Sequence, residues 1–187
     1  MSGLPILFSG PMVRSIIARR KRQTRRITGL DTINALPDGW KFDRWQDGYP
    51  DGRPRAVFLD FESEPIGIPC PYGTKGGQIW VRETWRRADS STSDIGGYHY
   101  RADLDEQAAK GQWRPSIHMP REASRILLGV EEVRLQRLQE NSEEDAQAEG
   151  VTLDFADGEG DQIESFKAAF ARTWSGMSLW NANTSHL

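Results

Sequence analysis

Hydrophobic residues open the chain in a short run, Pro5-Ile6-Leu7-Phe8, which predicts a strand. Ser9-Gly10-Pro11 follows as a helix start with proline inside the first turn. Met12, Val13, Ile16 and Ile17 recur at helical spacing, so this helix buries one stripe and turns Arg14, Arg19 and Arg20 outward. Gln23-Thr24-Arg25-Arg26-Ile27 is β-branched and alternating, which predicts a strand in place of continued helix. From residue 29 to 77 no period survives among the Gly, Pro and Asp residues. The segment is expected to be a long loop excursion with some short strands. Its scattered aromatics, Trp40, Trp45, Tyr49 and Phe58, predict that it is ordered and packed on the rest.

Gly76-Gly77 marks a turn into Gln78–Trp85, the clearest strand of the chain, and Tyr98–Ala102 is a second. Alternation at Ile126, Leu128, Val130, Val133, Leu135 and Leu138 predicts one long or bent strand, with a bulge near Gly129. Ser142 reads as the N-cap of a short helix with acids in its first turn, closed by Gly150 at the C′ position. Ile163, Phe166, Ala169, Phe170 and Trp174 predict a last amphipathic helix ending near Gly176. Strands outnumber helices and neighbours read as antiparallel. The expected class is α+β, in a single domain over residues 1–187 with a Gly/Pro-rich loop insertion at about 29–77.

Composition narrows the picture. Only 37% of the residues are hydrophobic, yet there are seven Trp, which suits a compact domain with large loops. Cys70 is the single cysteine, which excludes an internal disulfide and argues against a structural zinc site; it reads as a reduced structural thiol. No metal or cofactor is expected. No apolar run reaches membrane-spanning length, and the first residues lack the pattern of a secretory signal, so a cytoplasmic protein with no membrane partner is expected. The net charge of −3 hides an asymmetry: residues 1–30 carry seven Lys or Arg and no acid, whereas Gln139 to Glu164 carry ten acids and no base. A basic face of this kind suits phosphate or RNA.

Ile16-Ile17-Ala18-Arg19-Arg20-Lys21-Arg22-Gln23-Thr24-Arg25 resembles the ASCH-domain signature, a helix running into a basic pair with Thr three residues after the Lys. Ile79-Trp80-Val81-Arg82-Glu83-Thr84-Trp85 is similar to a strand of the longer, phage- or prophage-type members. Trp113 to Arg121, Ala123-Ser124-Arg125 and Ser142 to Val151 resemble the blocks that follow it. The likeness spans about residues 5–180. It implies a PUA-like fold, a small mixed or antiparallel β-barrel flanked by short helices. One bacterial branch of that superfamily is an amidohydrolase that removes the acetyl group from N4-acetylcytidine with a Lys, a Thr and a Glu. Carried over, these fall on Lys21, Thr24 and Glu149. The chain departs from the pattern in the excursion at 29–77. It also ends in Thr184-Ser185-His186-Leu187 where the family has an apolar strand after the 180–183 block, so an open barrel edge is expected there.

That chemistry needs Lys21 as base, with a pKa brought well below about 10.4 by cationic neighbours Arg20 and Arg22 and by partial burial. Thr24 would be the nucleophile. Glu149, in the last turn of its helix among unpaired carbonyls, would be the acid for the leaving nitrogen. A salt bridge between Lys21 and Glu149 would work against both roles. Arg20, Arg22 and Arg25, with Trp113, Arg114 and His118, are the expected contacts to a nucleoside or RNA ligand. Each residue also has a plainer reading: a surface lysine at a helix end, an ordinary strand threonine, a solvated helix acid, a packed loop histidine. Trp80 and Trp85 read as core. Arg82 and Glu83, adjacent in a strand, point to opposite faces, so one is expected to be a buried, paired charge. The alternatives to hydrolysis are a non-catalytic RNA- or nucleotide-binding module and a metal-independent ribonuclease of phage or prophage origin.

Overall fold

The computed structural model of the chain describes residues 3–88, 97–104, 111–151, 165–173 and 180–186. The first half runs β1 (Leu4–Leu7), α1 (Gly10–Ile17), β2 (Gln23–Arg26), α2 (Asp31–Ala35), β3 (Lys41–Gln46), β4 (Arg55–Leu59) and β5 (Pro65–Pro69). The second half runs β6 (Gln78–Arg82), β7 (Trp85–Arg87), β8 (Tyr98–Tyr100), β9 (Leu127–Arg137), α3 (Glu143–Ala148), α4 (Phe166–Thr173) and β10 (Trp180–His186). Mixed sheets with a few short helices make the fold α+β.

The central sheet has the order β1-β6-β9-β10-β2. β1 lies parallel to β6, with Leu4 opposite Ile79 and Leu7 opposite Arg82; the other pairings are antiparallel. β9 is long enough to serve two neighbours. Its first residues pair with β6, and the stretch from Val130 to Arg137 pairs with β10. The register slips where Glu132 faces Ser185 but Val130 faces His186, leaving Glu131 as the extra residue of a bulge. The bulge expected near Gly129 therefore sits two residues on, where added twist lets one strand bend between partners.

Ile6, Phe8, Val13, Ile79, Val81, Leu128 and Val130 close the main core between α1 and this sheet. Cys70 belongs to the same cluster, and burial pushes its thiol up in pKa, which suits an inert packing role.

Three expectations are corrected. The segment 29–77 is ordered and holds short strands as expected, but these pair into an antiparallel sheet of order β3-β4-β5 that, with α2, packs around Leu30, Ile33, Ala56 and Phe58, so it is more regular than a loop excursion. Ala56, Val57 and Phe58 are all buried, so the strand lacks the alternation that would have revealed it. The strand expected over Gln78–Trp85 breaks after Arg82, and Trp85 starts a separate hairpin with β8. The expected open edge at the chain end is also overturned, because Trp180–His186 is itself an interior strand laddered to both β9 and β2.

The edges of the sheet are instead β1 and β2. Among the described residues no backbone ladder joins them, so the sheet does not close into a barrel. A side chain spans the gap: Arg26 Nη2 donates to the carbonyl of Leu7 at 3.0 Å. α4 packs Phe166 and Phe170 against Leu138 and Ala146; Ile163, Trp174 and Gly176 lie outside the described residues. Among the described residues no helix is long and apolar enough to cross a membrane.

Candidate functional site

Lys21 is turned inward by the way α1 ends. Arg19 takes a left-handed conformation (φ 57°), and the amides of both Arg20 and Lys21 donate to the carbonyl of Ser15 at 2.9 and 3.1 Å. This tight reversal leaves Arg19, Arg20 and Arg22 exposed and Lys21 only 2% exposed. α3 approaches from the far end of the chain. Its cap is as expected, with Ser142 Oγ accepting from the Asp145 amide at 3.1 Å and Gly150 at φ 84° beyond the last turn. The Arg22 amide then donates to the carbonyl of Ala148 at 2.7 Å, docking the end of α3 on the start of β2.

A buried charge cluster fills the joint. Lys21 Nζ lies 3.1 Å from Glu149 Oε1 and donates to the carbonyls of Gln23 and Glu149, both at 2.8 Å. Its three protons thus meet three acceptors. Arg25, 0% exposed, sets its guanidinium 3.3 Å from Asp145 Oδ2 and 3.6 Å from Glu149 Oε2, stacked on Phe170. Its amide donates to Glu149 Oε1 at 3.1 Å. Asp145 also accepts from Gln23 Nε2 at 3.0 Å and Arg134 Nη2 at 3.1 Å.

Burial lowers the Lys21 pKa even though Glu149 pulls it up, and Arg26 and Arg25 add to the fall. The direction matches the expectation; the cause is desolvation first, and the cations that contribute are Arg25 and Arg26 in place of Arg20 and Arg22. The ion pair that would oppose the base role is present and is outweighed. Burial likewise lowers Arg25. For Asp145, burial pushes upward, but hydrogen bonds from Gln23 and Arg134 with the charges of Arg25 and Arg134 hold it below the usual carboxylate value.

Thr24, on the opposite face of β2 from Arg25, is 0% exposed. Its Oγ1 accepts from Arg26 Nη1 at 2.7 Å, and among the described residues it bonds to neither Lys21 nor Glu149. Two of the three expected catalytic groups therefore meet, and the third is held by Arg26.

Lys21 borders a cavity of about 640 Å³ walled by Ile16, Ile17, Ile126 and Leu128, with Arg19 and Arg22 lining it. A cleft of about 530 Å³ meets the same turn, lined by Arg19, Arg20 and Arg22 with Ala148, Val151 and Phe166. Neither is lined by Thr24 or Glu149. Arg25, expected as a ligand contact, is spent inside the charge cluster.

Trp113, Arg114 and His118 line neither of these spaces. Arg86 lies over Trp113 at 4.7 Å, Arg114 pairs its backbone with Trp85 and lies 5.3 Å over its ring, and His118 is exposed on a turn. Trp85 is core as expected, packed with Met119 and Ala123, whereas Trp80 is half-buried between Arg82 and Arg121. Glu83 is the buried, paired charge: Arg125 grips both its oxygens at 2.9 and 3.0 Å and reaches Asp103 beyond. Burial pushes Glu83 up, with Arg125 opposing.

The sequence reading missed Asp145 and Arg134 as members of the cluster, and it took Arg26 only as part of the basic run and not as the partner of Thr24. One signal was present: Asp145 and Glu149 stand four apart on α3 and so share a face. Among the described residues no group of three His, Cys, Asp or Glu is placed to hold a metal ion. No protein-family model, no curated protein and no solved structure matches the chain.

Proposed function

We propose that this chain is an ASCH-like, PUA-related binding domain for a nucleotide, free or as part of an RNA, held at the turn between α1 and β2. The observation that carries the reading is the contrast at that turn. Arg19, Arg20 and Arg22 stand exposed, with no carboxylate partner among the described residues, while Lys21 beneath them is locked into the charge cluster. A hydrogen-bonded turn whose guanidiniums have no carboxylate partner among the described residues suits phosphate, and the aliphatic wall of Ile16, Ile17, Ile126 and Leu128 suits the flat apolar face of a base.

The expected result is that Arg19→Ala/Arg22→Ala weakens a nucleoside 5′-monophosphate at least tenfold by calorimetry. Each charge-assisted hydrogen bond is worth about 1.5–3 kcal/mol. Unchanged affinity in a folded double variant would end the proposal.

The lowered pKa of Lys21 favours a second reading, hydrolysis of an acylated nucleoside such as N4-acetylcytidine with Lys21 as base, Thr24 as nucleophile and Glu149 as acid. The base form of Lys21 is the deprotonated one, so turnover would rise with pH through a limb lying below the ordinary 10.5. Release of cytidine followed against pH checks this: the limb must vanish in Lys21→Ala. For Thr24 to act, its hydroxyl must leave Arg26, so Arg26→Ala should change kcat more than KM.

A further inference from the structure

Phe61 is the most exposed large apolar residue among those described, at 81%, and Leu36 follows at 59%. The two are neighbours. A Cβ built on Gly39 would lie 2.7 Å from Leu36 Cδ2 and 3.5 Å from Phe61 Cε2, so both side chains lie over that glycine. Single apolar residues on a surface need no explanation, but a pair gathered at one tip does. In the turn between β4 and β5 the Asp60 carboxylate accepts from the amides of Glu62 and Glu64 at 2.9 and 2.8 Å, and Ser63 takes φ 65°. Phe61 is thus a knob on an ordered turn, with little freedom left to lose on contact. Asp38, Asp60, Glu62 and Glu64 stand in the two turns that carry the pair; the cations beside them are Lys41, opposite Leu59, and Arg137, paired with Asp38. Four acids against two cations set the knob in a negative field.

The cavity beside Lys21 has the complementary character. Its walls are aliphatic, and the exposed Arg19 and Arg22 that line it have no carboxylate partner among the described residues. Its volume of about 640 Å³ lies in the range of small-ligand sites and admits a phenyl ring. β9 keeps the two features apart. Leu128, in the cavity wall, stands near its start, and Arg137, which holds Asp38, ends it. At roughly 3.3 Å per residue, about 30 Å of strand lies between them. Phe61 does not line the cavity of its own chain.

We infer that Phe61 of one copy seats in the cavity beside Lys21 of another, so that the chain associates head to tail. The two contacting surfaces differ, so each added copy brings a further knob and a further cavity, and the contact repeats into a ring or a filament. Charge sets the orientation. The acids around the knob meet Arg19 and Arg22, whereas two knobs or two cavities would bring like charges together. One ring and one leucine bury little area, so the association is weak and depends on concentration. The contact needs no nucleotide and nucleotide binding needs no second copy, so calorimetry on Phe61→Ser tests the earlier proposal apart from this one.

Sedimentation velocity on the full chain tests it. The wild type is expected to show a sedimentation coefficient that rises with protein concentration and falls back with added salt. Phe61→Ser and Arg19→Glu/Arg22→Glu, all at exposed positions, should each lower the association constant by about tenfold or more. Mixed in equal amounts, these two variants should form a one-to-one dimer and nothing larger, since the first keeps the cavity and the second keeps the knob. Glu62→Lys/Glu64→Lys, which leaves Phe61 in place, should also separate the copies. The inference is overturned by a wild type that stays monomeric at every concentration, as a separate basic protein seated on the knob would leave it. It is equally overturned by a folded Phe61→Ser or Arg19→Glu/Arg22→Glu variant that associates like the wild type, or by a mixture of the two that stays monomeric.

Discussion

Glu149→Ala is expected to destabilise the fold by about 3 kcal/mol, because removing one partner of a buried ion pair leaves its cation in a medium that cannot solvate it. Lys21 and Glu149 have side chains only 0% and 8% exposed, and Glu149 also faces Arg25 and accepts the Arg25 amide. The loss stays near 3 kcal/mol because Lys21 keeps two carbonyl acceptors and Arg25 keeps Asp145. Domains of this kind are stable by roughly 5–15 kcal/mol in all, so the change is large. Urea unfolding measures it. Adding Lys21→Met should recover part of the loss, since a buried apolar chain beside Phe8 carries no desolvation cost. A cost under about 1 kcal/mol, the range of exposed pairs, would show that water reaches the cluster.

Gly150→Ala should cost about as much by a different route. Gly150 has φ 84°, where a side chain strains the backbone by roughly 1–2 kcal/mol. Its Cβ would also fall 2.8 Å from Lys21 Cβ, 3.2 Å from Ser15 Cβ and 3.3 Å from Lys21 Cα. Overpacking of that kind adds about 1–3 kcal/mol. Gly52→Ala is the control. Gly52 has φ 66° but nothing within 4 Å of the added carbon, so it should show only the backbone part. Equal unfolding midpoints for the two variants would mean that the end of α3 does not press on Lys21. Because the clash is with Lys21 itself, the Gly150 variant should also weaken nucleotide binding at Arg19 and Arg22, whereas the Gly52 variant should not.

Both predictions turn on a junction that the sequence announced only in halves. The start of α1 with its buried Val13, the Ser142 cap, the Gly150 stop and the cationic run were legible, since each is a pattern within a few residues; Ile17, expected in the buried stripe, is 54% exposed. The contact that makes them a site joins positions 128 residues apart, Lys21 to Glu149, and only the family resemblance, not any local pattern, had brought the two together. Thr24 was set beside Lys21 by the family resemblance, and the fold parts them. Its strand neighbour Arg25 takes the face toward Glu149, and Thr24 turns to Arg26.

Hydrophobic period, caps and glycine conformation act locally, so the α+β class, the start of α1 and both ends of α3 could be read along the chain. Packing of the whole chain was needed to show that residues 29–77 pair into a sheet and that the polar Trp180–His186 lies between two strands. It alone parted Trp113 and Arg114 from Lys21 and set them beside Arg86 and Trp85. A strand gains its hydrogen bonds from whichever backbone lies next to it, and a buried charge from whichever opposite charge is brought within about 4 Å. Those partners are chosen by packing of the whole chain, which no local period encodes.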